Sequence, residues 1–163
     1  MIGHGMLPSS GDALFSWSVP SLDALRLDRA ALPSPQFACL LACDARGVAD
    51  EVVFTTAERL LDSGLAYFCA WGPDCERVHD LVDEAIVLRE VGEGRAYPVM
   101  TTWHSDESLD DALWFMANTA CPHELYRATC KSRVAISVGE ADWERLICEG
   151  FASMTGAPDG NRA

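Results

Sequence analysis

In WGPDCERVHD (71–80) a cysteine and a histidine stand four residues apart, and a carboxylate follows four residues later: Cys75, His79, Asp83. On a helix this i, i+4, i+8 spacing sets the three side chains along one edge. A first-turn thiol beside a histidine beside a carboxylate is the logic of an activated nucleophile, since the helix dipole favours the thiolate. The same spacing argues against it. Successive turns carry the groups away from the helix start, and Asp83 falls about two turns along. Packing explains these residues more simply: a buried Cys75, a half-exposed His79, and Asp74 as an N-cap accepting from an orphan backbone N–H.

A second histidine has a different address. TTWHSDES (101–108) puts His104 directly after a strand-like run, flanked by Trp103, Ser105 and Asp106. There it can move a proton, orient a ligand or bind a metal. Asp44, Asp74 and Asp106 are candidates to converge on a cation with it. The competing account has Asp106 and Ser108 capping the next helix while His104 fills the rim. Other nucleotide-fold chemistries find no motif. GPDCER lacks the Lys-Ser/Thr of a phosphate loop, CDARGVAD carries one glycine where a dinucleotide fingerprint wants three, and no GxSxG elbow occurs. The expectation is no cofactor and no metal centre.

The elements that position these residues alternate. QFACLLAC (36–43), LAYFCAW (65–71), YPVMTTW (97–103) and the weaker RVAISVG (133–139) read as strands, with Pro98 near the start of the third. Helical stripes fall between them: Val53, Ala57, Leu60 and Leu61 before Gly64; Val78, Leu81, Val82, Ala85 and Ile86 before Gly92 and Gly94. Leu109, Ala112, Leu113 and Met116 form another behind a capping-box-like Ser108 and Asp111, and Trp143, Leu146, Ile147 and Phe151 the last. Continuous apolar strands alternating with amphipathic helices predict a three-layer α/β/α domain with a mostly parallel sheet, Rossmann-like or flavodoxin-like. Residues 36–152 form this domain. Residues 1–35 are expected to be an irregular arm with one short helix over 21–32, ended by Pro33 and Pro35, and 153–163 a frayed tail.

Ligands of such sheets lie beyond the carboxyl ends of the strands, near a switch in strand order. The segments 43–47, 71–80 and 101–108 leave polar residues at that edge. The binding residues expected there are Asp44, Trp71, Asp74, Thr102, Trp103, His104 and Asp106, with Cys75, His79 and His104 as the weaker catalytic candidates.

AWGPDCERVHD and the later VMTTWHSDESLDDALWF resemble a family of small uncharacterised bacterial proteins, over roughly residues 36 to 140. The resemblance implies a bacterial origin and brings no activity with it.

Bulk properties narrow the function classes. The chain has 163 residues, 25 acidic side chains against 12 basic ones, and a formal charge of −13. Phosphate contacts draw on Lys and Arg, so nucleic acid and anionic membrane surfaces are poor partners. A basic protein or a cation is a better one. The seven cysteines are odd in number, contain no CxxC pair and sit mostly in apolar runs, which fits reduced thiols and a cytoplasmic location. No basic-flanked signal peptide and no apolar run near ~18 residues occurs. The reading that follows is a non-catalytic acidic α/β domain that binds a protein partner, as an accessory, regulatory or immunity-like component. The alternative is a small enzyme using Cys75 or His104.

Overall fold

The computed structural model of the chain describes residues 1–27, 29–94, 96 and 98–156. Six strands form one sheet: β1 (Ile2–Met6), β2 (Ala13–Val19), β3 (Gln36–Ala42), β4 (Leu65–Trp71), β5 (Met100–His104) and β6 (Cys130–Val138). Four helices cover it: α1 (Asp50–Asp62), α2 (Cys75–Glu93), α3 (Leu109–Asn118) and α4 (Ala141–Thr155). The strand order is β1-β2-β6-β3-β4-β5, parallel throughout except for β1 against β2. This is a three-layer α/β/α arrangement.

The central strands are apolar on both faces because both faces are covered. Along β3, Phe37, Cys39 and Leu41 enter the core under α1 and α2, whereas Ala38, Leu40 and Ala42 enter the core under α3 and α4. That is why QFACLLA shows no polar alternation. From β3 to β4 to β5 the chain steps outward through α1 and α2 on one face. It then returns through α3 on the other face to place β6 beside β3. Neighbouring β4 and β5 therefore send their following loops to opposite faces, the topology that opens a crevice at the carboxyl ends of a sheet.

The first 35 residues depart from the expected irregular arm. Both β1 and β2 lie within them, and β2 pairs with β6 along its full length from Ala13 to Val19. ALFSWSV hides its strand character because Ser16 interrupts the buried face of Leu14, and the cover for that face comes from α4, far along the chain. The helix expected over 21–32 is reduced to two single turns, Leu22–Ala24 and Arg29–Ala31, with Asp28 outside the described residues. No side chain caps the first turn, and Leu25 is extended. A short helix without packing along its length is marginal; here Leu22, Leu25 and Leu32 are instead used as separate anchors in the core.

Other boundaries move slightly. The strand placed at 97–103 runs Met100–His104, with Tyr97 outside the described residues, and α4 continues to Thr155, into the segment expected to fray. Residues 157–163 of that tail lie outside the described residues. Ser108 caps α3 as its sequence predicts, its hydroxyl accepting from the Asp111 N–H at 3.1 Å.

Candidate functional site

Gly72 shapes the junction between β4 and α2. Its φ is +108°, and a Cβ built on it would lie 2.5 Å from the carbonyl oxygen of Cys43. The glycine lets this loop run against the end of β3, where Cys43 N–H donates to Trp71 O and Ala45 N–H to Pro73 O, both at 3.0 Å. Asp74 follows in the left-handed conformation, φ 66°, which is uncommon for a residue with a side chain. Its carboxylate does not cap α2, contrary to expectation. It accepts from Arg77 Nε at 2.7 Å, because the left-handed backbone turns the side chain from the orphan N–H groups. Arg77 also binds Asp50 and the carbonyls of Ala45 and Val48, tying the two loops together.

Between the ends of β4 and β5 lies a cleft of about 560 Å³ lined by Trp71, Gly72, Pro73, Asp74, Cys75, Glu76, His104, Ser105, Glu107 and Trp143. Trp71 and Trp143 meet edge to face, ring centres 5.3 Å apart. The Trp71 indole N–H donates to the Glu107 carbonyl at 2.9 Å, pinning the β5–α3 loop. His104 is buried against Phe115, with Nδ1 2.9 Å from Glu107 Oε2 and Nε2 3.1 Å from Thr102 Oγ1. Both ring nitrogens are thus engaged within the fold. The histidine orients Glu107 and holds the loop; it does not present a free nitrogen to the cleft.

Cys75 and His79 part company. Cys75 is buried, and burial pushes its thiol above the ordinary value against the pull of the backbone N–H groups of His104, Cys75 and Glu76, which face the sulfur. Among the described residues no hydrogen bond joins it to His79. His79, expected half-exposed, is buried: its ring lies 4.7 Å from Trp103, Nδ1 is 3.0 Å from Asp80 Oδ1 and Nε2 3.6 Å from Asp83 Oδ2. Asp83 in turn accepts from Thr101 at 2.8 Å. Although the two are i, i+4 neighbours on α2, Cys75 is buried under the first turn, whereas His79 packs against Trp103 of β5 and is engaged by Asp80 and Asp83. Cys75 is therefore expected to alkylate more slowly at pH 7 than the exposed Cys121, and His79→Ala to leave its rate unchanged, read by peptide mass spectrometry.

The predicted cluster divides into parts. Trp71, Asp74 and His104 line the cleft, and Thr102 stands behind His104. Trp103 lies on the other face of β5 and is 46% exposed, and Asp106 is exposed on the β5–α3 loop. Asp44 belongs to a separate crevice at the ends of β3 and β6, lined also by Ser21, Val52 and Glu140. The convergence of Asp44, Asp74 and Asp106 on a cation is not realised. Asp44 is held by Arg46 at 2.6 and 2.9 Å, which keeps its carboxyl below the usual carboxylate value, and Asp74 faces Arg77. Among the described residues no group of three or more His, Cys, Asp or Glu is arranged to hold a metal ion. Sequence reasoning assigned Trp143 to a core stripe and missed it as a wall of the cleft, since nothing local marks which residue of α4 will reach Trp71.

Residues 22–153 match the family described as a domain of unknown function, DUF7684. The chain belongs to this family. The match takes in the cleft, β5 and all four helices up to Ser153, and leaves β1 and β2 outside it. The family's description assigns no activity. No curated protein and no solved structure matches the chain. No helix among the described residues is long and apolar enough to cross a membrane.

Proposed function

We propose that this is a non-catalytic binding domain that receives an extended basic segment of a partner protein along β5 and into the adjoining cleft. The observation that carries the reading is the open edge of β5. Among the described residues it is the last strand of the sheet, paired only with β4 and without a register shift, so one row of its backbone N–H and C=O groups is outside that ladder. Edge strands are commonly guarded by lysine, proline or a bulge. MTTWH has none of these, and it exposes Met100 and Trp103 on opposite faces.

An added strand supplies affinity through backbone hydrogen bonds and specificity through side-chain contacts. Here the side-chain contacts favour a cation. Asp80, Asp83 and Glu107 flank β5 with side chains 71%, 46% and 48% exposed. At the carboxyl end of the strand, the Trp71–Trp143 pair beside Glu76 and Glu107 offers an ammonium or guanidinium group both aromatic faces and carboxylates, worth about 0.5–2 kcal/mol for the ring contact. A second copy of this chain fits worse, because two surfaces of a protein with charge −13 repel. The enzyme alternative draws no support from Cys75, which is buried with a raised pKa, or from His104, whose nitrogens are both engaged.

Fluorescence anisotropy with a labelled dodecapeptide alternating Lys/Arg with aliphatic residues tests the reading. Binding is expected to weaken with salt and to fall at least about tenfold in Trp103→Lys, which places a charge on the open edge. A peptide of the same charge with proline at alternate positions lacks the ladder donors and is expected to lose binding similarly. Equal binding of the two peptides, or an unaffected Trp103→Lys, would reduce the interaction to unspecific charge attraction and overturn the proposal.

A further inference from the structure

Outside the lining of the cleft, three elements bring an imidazole, a hydroxyl and a thiol together. His4 of β1 places Nε2 2.7 Å from the Ser16 hydroxyl of β2, and the same hydroxyl lies 3.6 Å from Cys148 Sγ on α4. Phe151, one turn along α4, packs against the His4 ring at 5.3 Å and fixes its position. We propose that Cys148 is the reactive thiol of this chain, a modification site for small electrophiles of the peroxide class, with Ser16 and His4 as positioning residues that relay its proton.

The chemistry follows from the order of the groups. In the resting wire the Cys148 S–H donates to Ser16 Oγ, and the Ser16 O–H donates to His4 Nε2. Burial pushes His4 below its ordinary value, so at pH 7 its imidazole is neutral and has a lone pair to accept with. As sulfur attacks, the Cys148 proton moves to Ser16 and the Ser16 proton to His4, so all hydrogen bonds persist with their direction reversed. With hydrogen peroxide the sulfur takes one oxygen, the O–O bond breaks, and the leaving hydroxide collects the proton back through Ser16. Thiol and peroxide become sulfenic acid and water. The half-buried position of Cys148 limits access to small reagents. By contrast Cys121 is exposed, and its S–H donates to the Pro122 carbonyl, which cannot take the proton.

Exposure alone would make Cys121 the faster thiol, and the relay reverses that order. Iodoacetamide rates at pH 7 for each cysteine, read by peptide mass spectrometry, are expected to show Cys148 ahead of Cys121. After brief peroxide exposure, dimedone should trap Cys148. His4→Gln and Ser16→Ala should each slow Cys148 about tenfold or more, the scale of a lost general base. Cys121 should keep its rate in both, which reports on folding. Breaking one wire twice adds nothing, so the double variant should be no slower than either single one. Ser16→Thr keeps the hydroxyl and should restore the rate. A Cys148 no faster than Cys121, or a Thr variant as slow as the Ala variant, would contradict the relay.

Discussion

Arg133→Met is expected to cost about 3–5 kcal/mol of stability, the scale set by breaking a buried ion pair from one side. Arg133 lies in β6 and is buried, and its guanidinium donates through Nε and Nη2 to Asp12 Oδ2 at 3.0 and 2.9 Å. Its Nη1 donates to the carbonyls of Met116 and Ala120 at 3.1 and 2.7 Å. One side chain thus joins the start of β2, the strand β6 and the end of α3. Without it, two carbonyls lose this donor and the Asp12 carboxylate keeps, among the described residues, only Lys131, whose ammonium is 3.5 Å from Oδ1. Chemical denaturation checks the value. Asp12→Asn in the same background should recover part of the loss, because it removes the stranded charge. A cost below about 1 kcal/mol would show that water reaches the pair, as at surface ion pairs.

Gly72→Val is the second large effect, and it falls on the site. At φ +108° any side chain is strained, by about 1–3 kcal/mol, and its Cβ would meet the Cys43 carbonyl oxygen. That oxygen is backbone and cannot swing aside. The loop from β4 to α2 would have to lift from β3, breaking the Cys43–Trp71 and Ala45–Pro73 hydrogen bonds and shifting Trp71 from Trp143. A total loss of about 3 kcal/mol or more is expected, with Gly72→Ala somewhat milder. Thermal unfolding and the intrinsic fluorescence of the tryptophans would report both consequences. Gly92, by contrast, meets nothing within 4 Å of a built Cβ, so Gly92→Ala is a matched control expected to be near neutral.

Local patterns made much of this fold readable. The apolar runs of β3 and β4 and the stripes of the four helices are continuous in sequence, and each needs only its own residues to be recognised. β2 was not readable in that way. Its buried face includes Ser16, and its place beside β6 joins residues more than a hundred positions apart. The same limit applies to the site. Trp71, Asp74 and His104 could be grouped because strands that run parallel must end at one edge. That His104 would spend both nitrogens on Thr102 and Glu107, or that Asp74 would turn to Arg77 rather than cap α2, depends on side-chain directions that spacing does not carry. The wire from His4 through Ser16 to Cys148 has no local signal at all, since its members come from both ends of the chain.

Amide hydrogen exchange reads out whether the open edge of β5 takes up an added strand. Within Met100–His104, alternate backbone N–H groups point away from β4 and have no ladder partner among the described residues. On adding the basic dodecapeptide, those outward amides should become protected in alternation, together with the indole N–H of Trp143 beside the cleft. Binding that leaves the amides of β5 exchanging as in the free protein would rule out strand addition, whatever its affinity.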